Sequence, residues 1–137
     1  MSKGLPTEME QPTILVVDDE PSIRDLIVAV LEEEGYLAHG AHSGSAALDL
    51  VPELRPDLVL LDMMMPQMDG RETIRRLRQL PDGRRTLVIV MSAAVSAEHA
   101  GEGMAAFIAK PFDLVALLDT IASVLDGEAP ETLSNPS

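Results

Sequence analysis

The sequence TILVVDDEP at residues 13–21 is the most informative about the fold, because it places a short apolar run directly before two carboxylates. Ile14 to Val17 are apolar at every position, without the alternation of a half-exposed strand. Such a run is typical of a parallel strand that is buried on both faces. A second run of this kind, Leu58–Leu61, also ends in an aspartate, Asp62. The sequence therefore predicts at least two buried strands whose ends carry acidic residues.

Helical patterns alternate with the apolar runs along the rest of the chain. Apolar residues with a period near 3.6 predict helices at residues 21–34, 46–54, where Pro52 interrupts the pattern, 71–80 and 114–125. Three more strands are predicted at Leu37–Ala41, Leu87–Met91 and Ala105–Ala109. Five strands that alternate with helices predict an α/β fold, a doubly wound five-stranded parallel sheet with helices on both faces.

Length and composition exclude several classes of protein. The 137 residues suit one domain, and the absence of cysteine excludes disulfides, thiolate metal sites and cysteine nucleophiles. The net charge of −13 repels phosphate backbones and anionic lipids, so we expect no nucleic acid and no membrane among the partners.

Without a signal segment or a membrane span we expect a cytoplasmic protein. Patterning predicts a flexible N-terminal extension at 1–12, the domain at 13–126 and a flexible C-terminal tail at 127–137.

Polar side chains follow four of the predicted strands: Asp18 and Asp19, Asp62, Ser92, and Lys110. Because parallel strands end at the same edge of a sheet, we expect these side chains to converge. Carboxylates are suitable ligands for Mg²⁺, and lysine and serine donate hydrogen bonds to phosphoryl oxygens. This set of residues predicts a phosphoryl-transfer site. Asp62 is the best candidate for a nucleophile that forms an acyl phosphate, and the adjacent Asp18 and Asp19 suit metal binding.

Four segments of the chain resemble the receiver domain of bacterial two-component response regulators. They are VVDDEP at 16–21, LLDMMMPQMDG at 60–70, MSA at 91–93 and KPF at 110–112. The resemblance covers about residues 13–126 and implies a flavodoxin-like sheet with strand order 2-1-3-4-5. It also implies that a phosphoryl group arrives from a phosphohistidine on a sensor histidine kinase or phosphotransfer protein, in a reaction that requires Mg²⁺.

The resemblance implies a role for each residue of the site. Asp62 would be the phosphoacceptor, and Lys110 would pair with the phosphoryl oxygens. Asp19, Asp62 and the backbone carbonyl of Met64 would ligate Mg²⁺, with Asp18 acting mainly through water.

The resemblance further implies a switch built from two side chains. Ser92 would move to hydrogen-bond the phosphoryl group, and Phe107 would follow it inward as the switch aromatic. The peptide bond between Lys110 and Pro111 would be cis, an isomer that proline makes accessible.

The chain differs from the family pattern in two places. Only 17 residues separate Ser92 from Lys110, about one helical turn fewer than the family leads us to expect, so the fourth helix should be short or irregular. The usual output surface of the family would then be reduced. In addition, Met64 and Ala94 cannot position a hydrolytic water by hydrogen bonding, which predicts slow self-dephosphorylation.

The leading hypothesis is a stand-alone receiver that signals to an unknown downstream protein target or relays its phosphoryl group. An aspartate-nucleophile phosphohydrolase is an alternative, but it would need an acid–base residue where Met64 stands and a cap for which the chain has no room. A non-phosphorylated binding module is a third hypothesis, which the complete set of polar residues disfavours.

A basic stretch interrupts the acidic chain: Arg71, Arg75, Arg76, Arg78, Arg84 and Arg85. The simpler interpretation is a solvated helix face. The sharper hypothesis is a docking surface for an acidic partner at the third helix.

Overall fold

The computed structural model describes residues 11–65, 67–93 and 103–127. Its strands are β1 (Thr13–Val17), β2 (Leu37–Ala41), β3 (Leu58–Asp62), β4 (Leu87–Ser92) and β5 (Ala106–Ala109). Its helices are α1 (Pro21–Glu33), α2 (Gly44–Leu54), α3 (Gly70–Gln79) and α4 (Leu114–Leu125), with a 3₁₀ turn at Pro81–Gly83.

The five strands form one parallel sheet in the order β2-β1-β3-β4-β5. The predicted α/β class and the strand order 2-1-3-4-5 are thereby confirmed. From β1 the chain proceeds to β2 on one side, while β3 pairs with the other side of β1. The strand order therefore reverses between β1 and β3, and in sheets of this kind ligands bind at the carboxyl ends of the strands beside that point.

Each face of the sheet packs against its own pair of helices. Leu15, Val17 and Leu61 lie on one face together with Ala47 of α2 and Ile74 of α3. The alternate strand positions face the opposite side, where the buried residues are Ile14, Val16, Leu58, Leu60, Ile27 and Leu31 of α1, and Leu117 and Ile121 of α4. Burial on both faces explains why the central strands are apolar at every position.

Local sequence signals set the ends of the helices. Gly35, just past α1, has a φ of 97°, which glycine adopts without steric cost. The Asp69 carboxylate accepts a hydrogen bond from the Glu72 amide at 3.1 Å and caps α3. Our prediction for α2 was too short: Ser43 caps the helix, which begins at Gly44 and continues through Pro52. Proline has no N–H, so the helix lacks the hydrogen bond that residue 52 would otherwise donate to the carbonyl of residue 48.

Several sequence predictions lie outside the described residues. These include the short fourth helix within 94–102, the side chain of Ala94, and most of the two predicted flexible ends. Of the N-terminal extension, Gln11 and Pro12 are described, and Gln11 Nε2 donates to the Gly35 carbonyl at 2.7 Å. Within the described ranges, none of the helices has the length and apolar content needed to cross a membrane.

Candidate functional site

The ends of β1 and β3 bring three carboxylates together. Asp62 is the last residue of β3, and Asp18 and Asp19 directly follow β1. One oxygen of each lies within 4.8 Å of an oxygen of the other two. Asp18 is fully buried and Asp62 is 5% exposed, whereas Asp19 faces solvent. These hard oxygen ligands are suited to Mg²⁺, and the exposed side of the cluster would admit the water molecules that Mg²⁺ keeps.

Lys110 supplies the positive charge that this cluster needs. Its Nζ lies 2.9 Å from Oδ2 of Asp18 and 3.5 Å from Oδ2 of Asp62. Its side chain is 17% exposed, so the ammonium pairs with both carboxylates in a largely dry setting. Lys110 follows β5, where its amide donates to the Ser92 carbonyl at 2.9 Å and its peptide bond to Pro111 is cis, as the resemblance implied.

Backbone amides hold the other oxygens of the two buried carboxylates. The Glu20 amide donates to Oδ1 of Asp18 at 2.9 Å. The Met64 amide donates to Oδ1 of Asp62 at 3.2 Å. Each buried carboxylate therefore has one oxygen fixed by the backbone and one facing the Lys110 ammonium.

The pKa values of the site follow from burial and charge. Burial raises the pKa of Asp62, and the negative charge of Asp18 raises it further, while Lys110 and the Met64 amide oppose this shift. Burial alone would lower the pKa of Lys110, but its hydrogen bond to Asp18 and the charge of Asp62 outweigh burial and raise it. The raised pKa keeps Lys110 protonated at neutral pH, and a second cation at the site would stabilise the ionised Asp62 carboxylate.

The two predicted switch residues lie on β4 and β5. Ser92 is 1% exposed and ends β4, one residue beyond Met91, which pairs with Asp62 in the sheet. Phe107 lies on β5 beside Val90 and packs, half-buried, against the core on the side of α2 and α3. Ser92 thus lies at the site, and Phe107 lies in the core next to its strand.

Met64 differs from the buried residues around it. Its side chain is 53% exposed, while its amide is held by Asp62. A thioether is a poor ligand for Mg²⁺, so the contribution expected from Met64 is that of its backbone.

Five of the six arginines in the basic stretch are exposed, and Arg78 is half-buried. Arg75 and Arg76 both pair with Glu72 on the surface of α3. Arg78 is half-buried, and its guanidinium donates to the carbonyls of Gly83 and Thr86. The interpretation of a solvated helix face is therefore wrong for Arg78, because α3 turns this side chain toward the loop that precedes β4.

Sequence reasoning also missed Arg24, which contacts the acidic loop from α1. Its Nη1 donates to the backbone carbonyl of Asp18 at 3.1 Å, and its side chain is 19% exposed. The only sequence signal is a cation one turn into the helix that follows two aspartates.

Comparison with known proteins agrees with this geometry. The family model "Response regulator receiver domain" matches residues 14–122. Sporulation initiation phosphotransferase F of Bacillus subtilis is 40% identical over 121 residues, which are 85% of this chain and 96% of that protein. Response regulator MprA of Mycobacterium avium is 39% identical over 120 residues, 86% of this chain but 53% of that protein, so the chain spans about half of this relative.

Solved structures show the same fold. The chemotaxis protein CheY4 of Vibrio cholerae superposes with a TM-score of 0.79 at 30% identity, covering 83% of this chain and 98% of that one. The match of the family model over most of the chain, the strand order and the cluster of three aspartates with a lysine agree, and the chain belongs to the family of response regulator receiver domains.

Proposed function

We propose that Asp62 accepts a phosphoryl group from a phosphohistidine of a sensor histidine kinase or phosphotransfer protein, in a Mg²⁺-dependent reaction. The observation that carries the proposal is the position of the Asp62 carboxylate. It ends the central strand with a lysine ammonium 3.5 Å away and two further carboxylates within 4.8 Å. A nucleophile, a cation and a metal-binding cluster then meet at one point.

The transfer needs no other reactant. One carboxylate oxygen of Asp62 attacks phosphorus, forming an O–P bond as the P–N bond of the phosphohistidine breaks. The electron pair of that bond remains on the imidazole nitrogen, and Asp62 becomes an acyl phosphate. Because such transfers depend mainly on positioning and charge, the fixed backbone contacts of Asp62 and the nearby ammonium are the contributions of the protein.

Lys110 would exchange partners during this step. In the structure it is bound more closely by Asp18 than by Asp62. Phosphorylation adds negative charge and three acceptor oxygens at Asp62, which compete with Asp18 for the ammonium. We expect Lys110 to pair with the phosphoryl oxygens afterwards.

The residues that would hold Mg²⁺ are Asp19, Asp62 and the carbonyl of Met64, with Asp18 acting through water. The donor set fits, because oxygen ligands from a few carboxylates suit a cation that keeps several waters. Bound there, Mg²⁺ would neutralise the carboxylates and the incoming phosphoryl oxygens. The chain itself contributes by holding Asp18 and Asp62 in place through the amides of Glu20 and Met64.

Ser92 and Phe107 would carry the switch. The Ser92 hydroxyl would bond the phosphoryl group, and the movement of β4 would draw Phe107 inward. Phosphorylation can shift such an equilibrium only by the difference in contacts between its two states. The half-buried position of Phe107 leaves it room to become more buried.

Phosphorylation-dependent protein contacts or a phosphorelay would carry the signal onward to a protein target. The relative that this chain nearly spans is named a phosphotransferase, which favours a relay. Membership of the receiver family disfavours the phosphohydrolase alternative. The hypothesis that this receiver acts alone stays a prediction.

Intact-mass spectrometry tests the proposal. Incubation with acetyl phosphate and Mg²⁺ should add one phosphoryl group to the wild-type protein and none to Asp62→Asn. Asp49→Asn is the matched control, because it makes the same chemical change at an exposed position of α2 and should leave the adduct intact. An undiminished adduct in Asp62→Asn, or none in the wild type, would refute the proposal.

A further inference from the structure

We infer that Arg24 is a positioning residue of the acceptor site, which holds the acidic loop in a metal-binding geometry from a groove that Gly40 keeps open. The inference rests on the proposed function, because it concerns the same site. It stands on three features of the described residues: the hydrogen bond of Arg24, its burial, and the absence of a side chain on β2 beside it.

The hydrogen bond from Arg24 acts on the peptide that joins the two aspartates. Nη1 of Arg24 donates to the Asp18 carbonyl at 3.1 Å. Because a peptide unit is planar, restraining this carbonyl also restrains the Asp19 nitrogen and Cα, from which the Asp19 side chain starts.

Asp19 depends on this arrangement more than its neighbour does. The Asp18 side chain is bound by the Glu20 amide and by Lys110, and its own amide donates to the Ala41 carbonyl at 3.1 Å. Asp19 is exposed, and within the described ranges its carboxylate has no hydrogen bond. The Asp19 carboxylate is therefore placed only through its backbone, and the peptide plane that Arg24 contacts is part of that placement.

Gly40 provides the space through which Arg24 reaches the loop. A Cβ at Gly40 would lie 3.0 Å from Cδ and 3.1 Å from Cγ of Arg24. The arginine stem therefore lies against the bare backbone of β2, with its side chain only 19% exposed. Asp25, which is 76% exposed and 3.8 Å from Nε, is a weak competing partner.

Charge and positioning predict opposite effects on metal affinity. A cation near an anionic site repels Mg²⁺, so if Arg24 acted by charge alone, its removal would strengthen metal binding. If Arg24 positions the loop, its removal weakens binding although a repelling charge has gone. Loss of an outer-shell partner typically weakens metal binding about 10- to 100-fold. Because Arg24 acts through the backbone, we expect the smaller loss of about three- to tenfold.

The test is an amide NMR titration of the unphosphorylated protein with Mg²⁺, following the amides of Glu20 and Met64. Arg24→Met keeps the apolar stem and removes the donor, and should weaken binding. Gly40→Val keeps every charge and obstructs the stem, so it should weaken binding in the same direction. In an Arg24→Ala background there is no stem to obstruct, and Gly40→Val should have no further effect.

Arg85→Met is the matched control, because it removes the same charge from an exposed residue just before β4, at the other end of the strands. Thermal unfolding without Mg²⁺ separates affinity from stability. Tighter or unchanged Mg²⁺ binding in Arg24→Met, or unchanged binding in Gly40→Val, would overturn the inference while leaving the proposed function intact. A wild-type protein that binds no Mg²⁺ would overturn both.

Discussion

Lys110 and Arg78 are both cations in partly buried surroundings, but their partners differ. Lys110 faces two carboxylates, at 2.9 Å from Asp18 and 3.5 Å from Asp62. Arg78 faces backbone carbonyls instead. Its guanidinium donates to those of Gly83 at 2.8 Å, Thr86 at 2.7 Å and Gly103 at 2.8 Å.

This difference in partners distinguishes Lys110, a residue of the functional site, from Arg78, which stabilises the fold. Burial lowers the pKa of Arg78 without a charge to oppose it, whereas the carboxylates raise the pKa of Lys110 despite burial. Carboxylates can exchange an ammonium for a metal ion, and an ammonium can exchange a carboxylate for a phosphoryl group. The carbonyls around Arg78 lie outside the acidic cluster, and its hydrogen bonds join α3, the loop before β4 and the segment before β5.

The largest expected effect is on phosphorylation in Lys110→Met. Loss of one donor to developing charge typically costs about 100-fold or more in rate. We expect the rate of phosphorylation by acetyl phosphate, followed by intact mass, to fall by about 100-fold. Arg78→Met, assayed while folded, should change this rate by less than about threefold. Similar rate losses in the two variants would erase the distinction between the two cations.

The second effect is on stability in Arg78→Met. Each buried carbonyl left without its donor costs about 1–3 kcal/mol, so we expect urea denaturation to show a loss of about 2–4 kcal/mol. Arg71→Met, at an exposed position of the same helix, should change stability by less than about 0.5 kcal/mol.

Added Mg²⁺ should distinguish the Lys110 and Arg78 variants by their stability. Lys110→Met leaves two buried carboxylates unpaired, and added Mg²⁺ should recover part of its lost stability. Arg78→Met should recover none relative to the wild type. Equal recovery of stability in both variants would contradict the conclusion that Arg78 stabilises the fold and takes no part in metal binding.

A smaller effect is expected when the stability of Asp62→Asn is compared with that of the wild type at different pH values without Mg²⁺. Because the folded-state pKa of Asp62 is raised, the ionised carboxylate costs stability. That cost is absent below the ordinary Asp pKa, grows as pH rises through the raised value, and is constant above it. The stability of Asp62→Asn relative to wild type should therefore increase with pH, as measured by urea denaturation. A difference that is largest at low pH would contradict the shift.

The smallest effect is expected for Glu72→Gln on the exposed face of α3. Hydrogen bonds from Arg75 and Arg76 lower the pKa of Glu72, so its contribution exists above the ordinary Glu pKa and disappears as pH falls through the lowered value. Water and salt screen an exposed pair. Thermal unfolding at high salt should not distinguish this variant from wild type, and a clear loss there would show that surface pairs on α3 matter.

Much of the fold could be predicted from local patterns. The central strands are apolar at every position because helices cover both faces, and helix periodicity located the four described helices. The exact ends of the strands were less predictable. Asp62 and Ser92 belong to β3 and β4 themselves, because strand pairing continues through Asp62 opposite Met91 and through Ser92 opposite Ala109.

The site was also largely predictable, since parallel topology brings the ends of the strands to one edge. The contacts of Arg24 and Arg78 could not be predicted from the sequence. Arg78 reaches Gly103, 25 residues away, and Arg24 lies against Gly40 on a neighbouring strand. The surroundings of both arginines depend on how helices, strands and loops that are distant in the sequence pack together, and local sequence patterns do not predict such packing.

The amino-acid sequence is enough to place Asp18, Asp62 and Lys110 at the ends of predicted strands and to give the order of those strands along the chain. Which of these charges lie in contact depends on the folded structure. Lys110 and Asp18 are 92 residues apart and yet 2.9 Å from one another. The physical reason is that ion pairing and burial depend on distances of a few ångströms, which arise only when β1, β3 and β5 are aligned in one sheet and covered by helices.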